Sequence, residues 1–72
     1  MTYENLTIER GAQIATVTLT RPDCGNALSL SLMREIIEAA NSFKYDTEIR
    51  VVIIKGQGRN FCVGADLKDE ER

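Results

Sequence analysis

"EIRVVIIKG", residues 48–56, is the stretch on which the fold turns. Val51 to Ile54 form an unbroken apolar run of β-branched residues, and Gly56 closes it. A half-wet strand alternates apolar and polar residues. An unbroken run fits a strand covered on both faces, which is the habit of parallel sheets. Upstream, "QIATVTLTRP" at 13–22 does alternate, with Ala15, Val17 and Leu19 on one face and Thr16, Thr18 and Thr20 on the other. That is the period of two of a half-buried strand. Arg21-Pro22 ends its ladder, because proline has no N–H to donate. Before it, "YENLTIERG" at 3–11 reads as another strand, joined through a short turn for which Gly11 would supply a positive φ.

Between the two later strands lies the one convincing helix, "SLSLMREIIEAANSFKYD" at 29–46. Leu32, Met33, Ile36, Ala39, Ala40 and Phe43 recur at helical spacing and form an apolar stripe; Arg34, Glu35, Glu38, Asn41 and Ser42 fall on the wet side. Ser29 is the candidate N-cap, with Ser31 the alternative. Strand, helix and strand at these lengths predict a right-handed βαβ crossover in a parallel sheet. One helix covers only one face of the Val51–Ile54 strand, so its other cover lies outside this sequence.

Composition narrows the chemistry. The chain has 72 residues, two cysteines, no histidine and a net charge of −2. A domain this small buries only about 60% of its unfolded surface, so its core is marginal. Without histidine there is no Ser-His-Asp triad, no Cys-His dyad and no His-ligated metal. Cys24 and Cys62 alone make neither a zinc site nor a disulfide framework, which points to a reducing compartment and a cytoplasmic setting. No metal is expected. Interspersed charge without a basic face argues against nucleic acid. "VVII" is far shorter than the about 20 residues that span a bilayer, and "MTYENLTIER" has no apolar core of a signal or transit peptide.

The segment with most chemical content is "KGQGRNFCVGAD" at 55–66. Its glycines fit neither phosphate-binding pattern: Phe61 stands where the dinucleotide fingerprint needs glycine, and Gly58 leads to Val63-Gly64 rather than to the Gly-Lys of a P-loop. Phe61 is expected to turn back toward the core, and Gly64-Ala65-Asp66 to open a second helix. A free backbone N–H at such a helix start is suited to polarising a carbonyl whose oxygen gains negative charge during reaction. The same residues also fit a plain turn at Gly64 with Asp66 as helix cap. Cys62, between Phe and Val, reads as a small buried hydrophobe, while Cys24 sits in a polar loop. Asn26 reads as fixing its own loop through backbone groups. Arg59 and Lys68 read as solvated charges that could meet phosphates.

"LTRPDCGNALS" at 19–29 and "DTEIRVVIIKGQGRNFCVGADLKD" at 46–69, with the helix between them, resemble the N-terminal part of the crotonase superfamily, the enoyl-CoA hydratase/isomerase family. The resemblance runs from about Leu6 to Asp69. It implies an α/β fold of repeated ββα units wound into a spiral, of which residues 1–72 would hold the first ββα unit, the next strand and the start of a helix. It implies an acyl-CoA thioester as ligand, with no cofactor beyond the coenzyme A of the substrate. One of the family's two oxyanion-hole N–H groups matches Ala65. Asn26, Ala27 and Leu28, together with Val63, Gly64, Ala65, Asp66, Leu67 and Lys68, match segments lining the CoA channel, largely through main-chain atoms. Where the family often carries a basic residue before the Asn, this chain has Gly25. The family's catalytic carboxylates match nothing in this sequence, and Asp69, Glu70 and Glu71 have no catalytic counterpart. The resemblance thus implies a part of a hydratase or isomerase that is inactive alone and joins its remainder or further copies of itself. The competing expectation is a non-catalytic assembly module that uses the same apolar surfaces.

Overall fold

The computed structural model describes residues 3–62 and residue 64. Strand β1 (Leu6–Gly11), strand β2 (Ile14–Leu19), a 3-10 turn (Pro22–Cys24), helix α1 (Leu30–Lys44) and strand β3 (Val51–Gly56) follow in order. The sheet order is β1-β2-β3. β1 and β2 pair antiparallel from Leu6↔Leu19 to Gly11↔Ile14, and β2 and β3 pair parallel from Ile14↔Val51 to Leu19↔Gly56. The strand-helix-strand crossover expected from the sequence is therefore present.

The hairpin turn differs from expectation in one respect. Gly11 is the last paired residue of β1, and the positive φ values fall on Ala12 (51°) and Gln13 (68°). A two-residue loop places its two central residues, not the closing pair, in the left-handed region that matches strand twist. Gln13 then does a second job, since its carbonyl accepts the N–H of Arg50 (2.8 Å) and starts β3 beside the hairpin tip.

Side chains of a strand alternate between faces. The register therefore puts Leu6 and Ile8, Ala15, Val17 and Leu19, and Val52 and Ile54 on one face. α1 packs on that face. Leu6, Val17, Leu19 and Leu32 form the buried cluster, with Ile36, Phe43 and Cys62 packed against it. Ser29 is the N-cap: its side chain accepts the N–H of Leu32 at 3.0 Å. Glu35, read from the sequence as a wet-side residue, is half-buried instead. Its carboxylate accepts the backbone N–H and the side-chain amide of Asn5, each at 2.9 Å, while the same amide also reaches Ser31 Oγ (3.0 Å). A second tie lies at the other end of the helix, where Arg10 pairs with Asp46 and lies over the Phe43 ring, 5.2 Å from its centre.

The helix covers β1 and β2 better than it covers β3. Val51, Val52, Ile53 and Ile54 are 42–51% exposed, although their sequence reads as a doubly covered strand. Val52 and Ile54 line an open groove of about 390 Å³ between β3 and α1, shared with Val17, Ile36 and Phe43. Val51 and Ile53 face the side of the sheet away from α1, the only helix of four or more residues among the described residues. β3 is thus an edge strand with the composition of an interior one.

Candidate functional site

The two sequence motifs meet at the end of the sheet where β2 and β3 run out. The parallel ladder continues one bond past Gly56, with Gln57 N–H donating to the Leu19 carbonyl (2.8 Å). From β2, Arg21 leads into the 3-10 turn, and Gly25 (φ 61°) and Asn26 (φ 55°) follow it in left-handed conformation. The turn closes on itself: Asn26 N–H donates to the Arg21 carbonyl at 2.8 Å, and Ala27 N–H to the Cys24 carbonyl at 3.1 Å. Arg21 reaches across with its guanidinium to the Ala27 carbonyl (2.8 Å).

Asn26 joins this turn to the loop after β3. Its side-chain oxygen accepts Arg21 N–H (2.8 Å), and its side-chain nitrogen donates to the carbonyls of Gln57 (3.0 Å) and Asn60 (2.7 Å). The residue is 0% exposed. A buried amide needs such partners, since each unmet polar group costs about 1–3 kcal/mol. Among the described residues, no buried side-chain polar atom lacks one.

Glycines set how closely the two segments approach. A Cβ on Gly56 would lie 2.5 Å from the Phe61 carbonyl oxygen and 2.7 Å from that of Asn60, so the loop folds back onto the main chain of Gly56 itself. Gly58 (φ 86°) rests against Pro22, where a Cβ would come within 2.9 Å of the proline ring. Gly64 (φ 104°) is the opposite case: a Cβ there would meet no atom of the described residues within 4 Å. Its carbonyl nevertheless is held, accepting the N–H of Leu28 at 2.7 Å.

Of the residues singled out from the sequence, the structure therefore brings Asn26, Ala27, Leu28 and Gly64 together. Ala27 is buried, and Leu28 half-buried against the core. Val63, Ala65, Asp66, Leu67 and Lys68 lie outside the described residues, as do Asp69, Glu70 and Glu71 and the helix expected after Asp66. Phe61 does not turn into the core; it is 57% exposed, because the loop closes through its main chain on Gly56 and not through the ring. Cys62, read from the sequence as buried, is half-buried against the core cluster, and Cys24 is exposed as its polar loop suggests. The carbonyls of Gln57 and Asn60 and the guanidinium of Arg21 are parts of the site that sequence reasoning missed. Backbone acceptors carry no residue signature, but the glycines at 56 and 58 were a sign that main chains approach closely there.

Among the described residues no group of acidic, Cys or His side chains could hold a metal ion. None of their helices is long and apolar enough to cross a membrane.

The described residues thus form an α/β unit of two antiparallel strands, a crossover helix and a parallel third strand, with a glycine loop pinned to the β2–α1 turn. The profile of the enoyl-CoA hydratase/isomerase family matches residues 9–72. A probable enoyl-CoA hydratase of Mycobacterium bovis is 39% identical over 69 residues, which cover 96% of this chain and 27% of the relative. A probable 3-hydroxyisobutyryl-CoA hydrolase of Arabidopsis thaliana is 33% identical over 60 residues, covering 83% of this chain and 16% of the relative. The solved structure of enoyl-CoA hydratase from Mycobacterium tuberculosis H37Rv superposes with a TM-score of 0.86 at 38% identity, covering 90% of this chain and 29% of that one. The fold is that of a crotonase-type α/β fragment, and the chain belongs to the enoyl-CoA hydratase/isomerase family. It spans about a quarter of the length of the hydratase relative.

Proposed function

We propose that this chain supplies the N-terminal part of an acyl-CoA site, contributing one oxyanion-hole donor and one wall of the CoA channel. The observation that carries this reading is the 2.7 Å bond from Leu28 N–H to the Gly64 carbonyl. It sets residues 26–28 beside the glycine segment, and these are the two stretches expected to line one channel. Among the described residues nothing fills the space next to Gly64, which leaves room for a ligand against the main chain. In this reading the Ala65 N–H donates to the thioester oxygen, with no cofactor beyond the coenzyme A of the substrate. Val63, Asp66, Leu67 and Lys68 continue the channel wall.

The thioester oxygen gains negative charge when a nucleophile adds to the conjugated double bond, and a preorganised N–H stabilises that charge. One such donor is worth roughly 3–4 kcal/mol in a complete, dry site. Hydration also needs a base to take a proton from water and an acid to deliver one to carbon, each worth ~10²–10⁴-fold. The family's catalytic carboxylates have no match in this sequence, and in this reading the chain alone is inactive. Its partner is the remainder of a family domain or further copies of itself, in the cytoplasm. The hydrolase among its relatives leaves the reaction class of the complete protein to be decided by those other segments.

Calorimetric titration with a short enoyl-CoA tests the reading. Replacing Gly64 by Val puts a branched side chain at φ 104°, a conformation hostile to it, and into the space left for the ligand. Gly64→Val should abolish binding while Glu71→Ala leaves it unchanged. Equal binding by both variants and the parent, or no binding by the parent, would sink the proposal. The exposed Val51–Ile54 strand and its groove favour one second reading, an assembly module without a ligand. Self-association with no thioester affinity is the result that selects it.

A further inference from the structure

We infer that Asn26 is the positioning residue of the thioester-binding loop: its buried amide fixes where residues 57–60 sit relative to residues 26–28, without its side chain touching the ligand. This role rests on the thioester reading above for its functional meaning, but its structural content stands on separate observations. Asn26 bonds to groups 31 and 34 residues away along the chain, and these acceptors, the carbonyls of Gln57 and Asn60, bracket the bend that leads to Gly64. Its own backbone sits at φ 55°, bonded reciprocally with Arg21: each main-chain N–H is satisfied, one by the Arg21 carbonyl and one by the Asn26 side chain.

Few residues meet these demands together. The position needs tolerance of a left-handed backbone, one side-chain acceptor and two side-chain donors on a short stem. Asparagine has all three. Aspartate keeps the acceptor but, when ionised, offers no donor and sets a negative oxygen against two carbonyls. Glycine keeps the backbone and loses every side-chain bond. The amide's bonding within the protein also leaves no side-chain donor for a substrate. Asn26 therefore acts through the main chain of the loop it holds. Leu28 N–H, bonded to Gly64 O across the junction, reports directly on whether the loop is in place.

The test uses the full chain with two variants, Asn26→Asp and Asn26→Gly, read by residue-resolved amide hydrogen exchange. Protection at Leu28 should fall about tenfold or more in both, the scale of one to two lost bonds, while the β1–β2 ladder keeps its protection. In Asn26→Asp, protection at Leu28 should partly return as pH falls, because the protonated new carboxyl regains one donor; Asn26→Gly should show no such return. A thioester labelled with ¹³C at the carbonyl adds the functional readout: crotonyl-CoA should show a shifted carbonyl signal with the parent and a free-solution signal with Asn26→Gly. Unchanged Leu28 protection overturns the inference. So does loss of protection throughout the ladder in both variants, which would make Asn26 a general stability residue. A freed loop with an unchanged carbonyl shift overturns it as well. If the parent itself leaves the carbonyl signal unmoved, the acyl-CoA proposal fails, and Leu28 exchange still decides whether Asn26 positions the loop.

Discussion

Gly56 and Gly11 close the two ends of the sheet, and replacing each by alanine should have opposite consequences. Neither has a positive φ, so an alanine is not excluded at either by its own backbone. What differs is the surroundings. At Gly11 an added Cβ meets no atom of the described residues within 4 Å; at Gly56 it would stand 2.5–2.7 Å from main-chain atoms of Asn60 and Phe61. Those atoms are not the ends of flexible side chains, so the loop must move as a unit. Overpacking of this kind costs about 1–3 kcal/mol. Moving the Asn60 carbonyl also strains or breaks its bond to Asn26, for about 1 kcal/mol more. A total of roughly 2–4 kcal/mol in a domain of this size lowers the melting temperature by ~10 °C or more. Gly11→Ala should instead be neutral or stabilising by up to about 1 kcal/mol, since it restricts the unfolded chain and favours the strand. Thermal melts followed by circular dichroism, with the variants side by side at one protein concentration, measure both. Equal melting of the two variants would show that the loop does not fold back on Gly56 as described.

Other outcomes follow from the same structure. Leu32, fully buried at the N-terminal end of the α1 stripe, should cost about 2–5 kcal/mol when cut to alanine, read as a lower midpoint of denaturant unfolding. Because Val51–Ile54 are exposed on an edge strand, light scattering should find the chain associated; a sharp monomer with a cooperative melt would contradict this. Purified away from host hydratases, the chain should not hydrate a short enoyl-CoA; turnover that co-migrates with it and disappears in Ala65→Pro, which lacks the N–H, would reverse that reading.

The parts of the fold legible in the sequence were those governed by local periodicity. The alternation of Ala15, Val17 and Leu19 reports a face that the structure buries; of the helical stripe Leu32 and Ala39 are buried and Met33, Ile36 and Phe43 half-buried, while Ala40 is exposed at the groove beside β3. Ser29 was readable because capping is a contact between neighbours in sequence. The misreadings share a different cause. Placing the positive φ at Gly11 assumed that the turn uses the residue best suited to it, whereas the pairing register assigned it to Ala12 and Gln13. Glu35 looked solvated because its partner, Asn5, lies far off in sequence, just before β1. Val51 to Ile54 do carry the composition of a covered strand, but composition states what a strand requires and not whether this chain provides it. At the candidate site, the sequence named Asn26, Ala27, Leu28 and Gly64 without indicating what fastens them. The fastening acceptors are backbone carbonyls, identical in every residue.

The Asn26 junction also bears on the order in which this protein takes shape. The β1–β2 hairpin and α1 are built from contacts close in sequence, which close quickly and cheaply. The parallel pairing of β3 requires the whole helix to be in place between its partners, and the amide of Asn26 finds its two carbonyls only after β3 has docked. The junction should thus be completed last on folding and come apart first in native-state fluctuations, held together by few bonds at the margin of the core. Binding at that end would tighten a weakly held junction, so ligand affinity and local order there would rise and fall together.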